Sequence, residues 1–101
     1  MQFIRICDAL GMRGAVKEYR FHHKRRFRLD YYFPSINLGV EIEGGVFVNG
    51  AHIRPAGFVK DMEKYNLLTE QGIYLLRYMP KKIDYRQIKR VYDILSKYSS
   101  W

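Results

Sequence analysis

Residues 28–45 restrict this chain more than any other stretch: Arg-Leu-Asp-Tyr-Tyr-Phe, then Pro-Ser-Ile-Asn, then Leu-Gly-Val-Glu-Ile-Glu-Gly-Gly. Two runs of alternating apolar and polar residues flank a proline-led connection, which predicts a β-hairpin. Strand side chains switch faces at every residue, so Leu29, Tyr31 and Phe33 are expected on one face and Arg28, Asp30 and Tyr32 on the other. In the second strand Leu38, Val40 and Ile42 form the apolar set, while Glu41 and Glu43 share the opposite face with Gly39 and Gly45. A connection of two or four residues centred on Ser35-Ile36 sets the register. It puts Asp30 opposite Glu41, Tyr31 opposite Val40, Leu29 opposite Ile42 and Arg28 opposite Glu43. Opposed carboxylates with Cβ atoms about 4.5–5.5 Å apart repel each other, a cost that a divalent cation offsets. Such an oxygen-rich site suits Mg²⁺ or Mn²⁺, held by Asp30, Glu41 and the backbone carbonyl of Ile42. Glu43 is either an outer group held by Arg28 or a ligand in a shifted register. Taken alone, Glu-Ile-Glu is an ordinary half-exposed strand; the opposed Asp30 and the glycines that follow favour the metal.

A length of 101 residues fits one domain spanning 1–101, and a hydrophobic fraction of 48% supports a packed core. No apolar run is long enough to span a membrane and no secretory pattern is present, so no membrane partner is expected. Cys7 is the sole cysteine, which excludes an internal disulfide and points to a reducing cytosol, with the thiol packing a helix. The formal net charge of +8 calls for a polyanionic partner, DNA first among them. Lys17, Arg20, Lys24, Arg25, Arg26 and Arg28 lead into the acidic hairpin, interleaved with Tyr19, Phe21, His22, His23 and Phe27. They are candidate phosphate contacts, extended by Arg54 and Lys60; the competing reading is a solvated basic loop.

The remaining periodicities predict the order αβββαβα. Phe3, Ile4, Cys7 and Leu10 recur at helical spacing up to Gly11, Val16 to Phe21 reads as a first strand, and His22-His23-Lys24 turns into the hairpin. Residues 46–57 are a glycine-rich active-site loop candidate. A helix from about Gly57 to Gln71 carries Phe58, Met62, Tyr65 and Leu68 as a stripe and ends at a left-handed Gly72. Ile73 to Tyr78 fits a buried strand, and a last helix begins at Asp84, which with Gln87 resembles a capping box, and packs Ile88, Val91, Tyr92 and Leu95.

Phosphodiester hydrolysis needs an activated water, neutralised charge at phosphorus and help for the leaving oxygen. Glu18, on the acid-bearing face of its strand, either supports that water or balances Arg20 or Arg28. His52 can accept a proton from water or donate one to the leaving oxygen, although a lone loop histidine is more often a bystander. Asp61 and Lys64 lie one helical turn apart, where Asp61 could orient His52 and Lys64 could meet a phosphate; otherwise they form a surface ion pair worth little.

Glu18 in Lys-Glu-Tyr-Arg-Phe, Asp30 in Arg-Phe-Arg-Leu-Asp-Tyr, His52 in Gly-Ala-His-Ile-Arg and Asp61 in Gly-Phe-Val-Lys-Asp-Met-Glu-Lys-Tyr-Asn, followed by Gly-Ile-Tyr-Leu-Leu-Arg-Tyr, form a set. In this order, from about Val16 to Pro80, they resemble the EDxHD-type phage and homing-associated endonucleases related to the very short patch repair endonucleases. The resemblance implies an α/β (α+β) chain with a PD-(D/E)xK restriction-endonuclease-like core and a mixed central sheet. It also implies that Asp30 binds metal, His52 transfers protons, and Glu18 and Asp61 support water and histidine. The chain departs from the repair enzymes in its Glu41–Glu43 acid pair and lacks their structural zinc ligands. The pair looks like the broader pattern Asp…Glu-x-Lys with Glu43 at the lysine position, which leaves the lysine role to Lys64.

The sequence thus predicts a Mg²⁺-dependent DNA endonuclease, with a homodimer as an open option. A non-catalytic nucleic-acid-binding module on the same fold, or a Holliday-junction-type resolvase, are the alternatives.

Overall fold

The computed structural model describes residues 2–43 and 55–99. The described elements are α1 (Gln2–Ala9), β1 (Val16–Arg20), β2 (Arg28–Phe33), β3 (Leu38–Ile42), α2 (Pro55–Glu70), β4 (Tyr74–Tyr78) and α3 (Tyr85–Ser99). Short 3₁₀ turns at Pro34–Ile36 and Pro80–Lys82 interrupt the expected order αβββαβα, which lacked them. The four strands form one mixed sheet in the order β1-β2-β3-β4. The first three are antiparallel, and β4 joins β3 in parallel after the α2 crossover.

The hairpin register is as the sequence sets it: Tyr31 faces Val40, Tyr32 faces Gly39 and Phe33 faces Leu38. Its connection is the four-residue one. Pro34 starts the 3₁₀ turn with a fixed φ, and Asn37 closes it in the left-handed region at φ 51°, which asparagine tolerates better than most residues. The Tyr32 hydroxyl donates to Asn37 Oδ1 at 2.5 Å and holds the turn to its own strand.

Strict alternation fails at one place. Glu18 has φ 52°, and the β1–β2 ladder pairs Lys17 with Tyr31 and Tyr19 with Leu29 but skips Glu18 and Asp30 between them. A left-handed residue rotates the chain that follows it, so Tyr19 lands on the face of Tyr32 and stacks on its ring at 4.2 Å. Leu29 follows its partner. It is fully buried with Phe21, Tyr32, Leu68 and Ile73, not with Tyr31 and Phe33 as expected. There it lies over Gly39, where an added Cβ would meet Leu29 Cδ1 at 2.8 Å. The hairpin ladder also stops at Tyr31–Val40, so the predicted Asp30–Glu41, Leu29–Ile42 and Arg28–Glu43 pairs are not part of it.

The sheet therefore has a core on each face. On one, Tyr31, Phe33, Leu38 and Val40 meet Phe3 and Cys7 of α1 and Ile88 of α3. On the other, Leu68 of α2 covers Leu29 and Tyr32. Cys7 packs its helix as expected, and burial, then the charge of Asp8, pushes its thiol up to about 11. Leu10, expected in the same stripe, is exposed, and Met62 leaves the α2 stripe. The side chain of Phe58 lies outside the described residues.

Both glycine stops hold. Gly11 at φ 81° lets Met12 N–H reach Cys7 O at 2.8 Å while Gly11 N–H reaches Asp8 O at 3.0 Å. Gly72 at φ 73° does the same with Ile73 to Leu68 at 2.9 Å and Gly72 to Thr69 at 3.0 Å. These paired bonds satisfy the last carbonyls of each helix, and each packs a buried apolar residue beyond the turn against one inside it. At α3, Asp84 Oδ1 accepts the Gln87 N–H at 3.0 Å, so the cap forms on one side only: Gln87 Oε1 accepts the Tyr78 hydroxyl instead. β4 is not the buried strand expected. It starts at Tyr74 and forms the edge of the sheet, with Tyr74 59% exposed.

Candidate active site

The break in alternation is also where the acids gather. Because the backbone ladder lapses at Asp30, its side chain supplies the missing acceptor: Asp30 Oδ2 takes the N–H of Ile42 at 2.7 Å. This ties β2 to the end of β3, one residue past Glu41. Glu41 is buried, a costly place for a carboxylate unless it is paired. Its partner comes from α2, where Lys64 Nζ bonds Glu41 Oε2. The other oxygen, Oε1, is buried without a partner among the described residues. Desolvation raises the Glu41 carboxyl above its ordinary range, the Lys64 bond and charge pull it back, and the charges of Glu43 and Asp30 push it up again. Both neighbouring acids therefore act on Glu41 electrostatically, although the strand ladder itself does not reach Asp30 and Glu41.

Glu43 is held, but not by Arg28. Arg77 on the adjacent parallel strand donates through Nε to Glu43 Oε2 at 2.7 Å, and its Nη2 lies 2.5 Å from the same oxygen. The Arg77 guanidinium also rests 4.4 Å over the Tyr65 ring. Burial first, then the Glu43 charge, raises the Tyr65 phenol. Arg28 instead pairs with Glu18 at 3.3 Å, both well exposed. The ion pair places Glu18 beside Arg28, one of the two arginines it was expected to balance.

Asp61 is exposed, and Lys64 turns to Glu41 instead of pairing with it. His52 and Arg54 lie outside the described residues. In the basic stretch, His22 Nδ1 accepts the N–H groups of Lys24 and Arg25 and shapes the turn. Arg25 is committed to Glu63 at 2.6 Å and sits 4.6 Å over Phe27. Lys17, Arg20, Lys24, Arg26 and Lys60 are exposed and carry no ion pair among the described residues.

The sequence reading missed Arg77 and the role of Tyr65. The signal was one cation in the otherwise apolar run Ile73–Tyr78, in a strand that follows an acid-bearing strand and a crossover helix. Among the described residues no group of three or more His, Cys, Asp or Glu side chains forms a metal cage. What they offer is two neighbouring carboxylates, Asp30 and Glu41, near the end of β3. Compared with protein-family models, curated proteins and solved structures, the chain matches none.

Proposed function

We propose that this chain is a metal-dependent DNA endonuclease, in which Asp30 and Glu41 with the Ile42 carbonyl hold a Mg²⁺ or Mn²⁺ ion. The observation that carries the reading is Glu41 Oε1, a buried acceptor without a partner among the described residues, beside a second carboxylate, in a protein of formal net charge +8. A buried acceptor left unmade costs about 1–3 kcal/mol, more for a charged group, and a cation would satisfy it. The donor set is all oxygen, which fits these hard ions. When bound, the ion supplies charge neutralisation on the phosphodiester and acidifies water. Lys64, fixed at Glu41, holds a positive charge where phosphate must approach, and the exposed cations of the β1–β2 segment bind the flanking backbone. Glu43 is neutralised by Arg77 and is left out of the ligand set. His52 remains the proposed proton carrier and Asp61 its orienting group.

Plasmid DNA incubated with the protein and Mn²⁺ or Mg²⁺ is expected to be nicked or linearised. Asp30→Asn and Glu41→Gln are expected to lose at least a hundredfold in rate and to abolish Mn²⁺ uptake in calorimetry. Intact plasmid at every protein concentration, or variants that cut like the parent, overturns the reading.

One observation favours a second reading. Lys64 already compensates Glu41 without a metal, as expected of a nucleic-acid-binding module that has lost catalysis. DNA binding without Mn²⁺ uptake would select that module.

A further inference from the structure

At the β4 edge of the sheet, exposed Tyr74 forms a ridge between two hollows among the described residues. The larger hollow, about 350 Å³, lies between α2 and β4 and is lined by Tyr65, Leu68, Thr69, Tyr74, Leu75 and Arg77. The smaller, about 200 Å³, is bounded by the hairpin turn and by Leu95 and Tyr98 of α3, with Tyr74 as the shared wall. Tyr74 is exposed, yet its backbone is fixed, since its N–H donates to Asn37 O at 2.9 Å. No carboxylate lines either hollow among the described residues. Arg77 joins the larger hollow to the acid cluster, because the same guanidinium grips Glu43.

We propose that the larger hollow receives an unpaired nucleobase stacked against Tyr74, so that the substrate is DNA with a single-stranded or extruded nucleotide beside the cleaved phosphate. The inference rests on the nucleic-acid reading given above. Its chemistry matches a base: apolar walls for the ring faces, and the Thr69 hydroxyl and Arg77 for polar edges. The volume falls at the small end of ligand sites. Aromatic platforms bind successive bases regardless of sequence, and a paired base reaches such a hollow only by leaving its stack. A second copy of this chain fits less well, because each copy brings a formal net charge of +8.

Binding is measured by fluorescence anisotropy in EDTA, so hydrolysis plays no part, with three probes: a single strand, a fully paired duplex, and the same duplex with one mismatch. Tyr74→Ala is expected to weaken single-strand and mismatched-duplex binding about tenfold and paired-duplex binding less than twofold, with Tyr74→Trp restoring the loss. Methyl resonances of Leu68, Ile73 and Leu75 are expected to shift on adding a deoxydinucleotide. Equal losses on all three probes, or none, overturn the inference while leaving the endonuclease reading standing. A dimer in sedimentation that Tyr74→Ala dissolves also overturns it, by giving the ridge to a second copy. Failure of the parent protein to bind any probe overturns both.

Discussion

Lys64 and Glu41 are the residues whose energetics are most exposed to test. A buried ion pair adds little net stability, because desolvation consumes the Coulomb gain, but removing one partner leaves a charge that nothing balances. Lys64→Met keeps the length and apolar stem of the side chain while deleting the ammonium. The folded protein already holds the Glu41 carboxyl above its ordinary value of 4.5, chiefly through burial. Folding therefore favours its protonated form. That contribution is fully present below pH 4.5 and is lost as pH rises through the raised folded value. Lys64→Met removes the influences that pull the carboxyl down and extends the window further upward. The variant is expected to lose about 3–5 kcal/mol at pH 7, and less at pH 4.5, which lies below the raised value and where more of Glu41 carries its proton. Urea unfolding of both proteins at the two pH values checks this, and a loss independent of pH would refute the buried-pair account.

At the scale of elements, the helix ends divide what the residues declare from what they conceal. Gly72 closes α2 at φ 73° with open space around its missing Cβ, so alanine there meets no clash and incurs only the cost of a left-handed backbone. Gly72→Ala is expected to lower stability by about 1–2 kcal/mol in urea titration, and Gly11→Ala by a similar amount. Gly39→Ala differs: its φ is ordinary, but the new methyl would press on buried Leu29, with an expected cost of about 1–3 kcal/mol. If the Gly39 variant is as stable as the parent, Leu29 does not lie where the structure has it. Both glycine stops and the hairpin register were legible because glycine, proline and strand period act locally. The flip at Glu18 was not, since a glutamate at φ 52° carries no sequence mark and only the packing of Tyr19 on Tyr32 reveals it. The same flip left Leu29 assigned to the wrong face and Glu43 to the wrong arginine. Strand period brought Asp30 near Glu41, but the ladder stops one pair short of them, and the contact that joins the two strands there is Asp30 Oδ2 on the Ile42 N–H, which no periodicity announces. Arg77 reaches Glu43 through a parallel crossover, a contact between distant segments that no local pattern announces.

Across the whole molecule, charge separates residues that can release counterions from those already spent internally. Arg25 and Arg28 lie in the same basic run as Arg20, Lys24 and Arg26, but Glu63 and Glu18 neutralise them. A cation paired with a carboxylate must surrender that partner before it gains a phosphate, so it adds less to binding than an unpaired one. Each phosphate contact contributes about 0.9 to the slope of log affinity against log salt on duplex DNA. Replacing Arg20, Lys24 and Arg26 together with alanine is therefore expected to reduce that slope by about 2–3, whereas Arg25→Ala with Arg28→Ala should change it by less than about 1. Anisotropy titrations of a paired duplex in EDTA from low to moderate salt read the slopes directly. Equal slopes for the two sets would mean that the Arg25–Glu63 and Arg28–Glu18 pairs open on DNA. The phosphate track would then run through the whole basic stretch, not only its unpaired members.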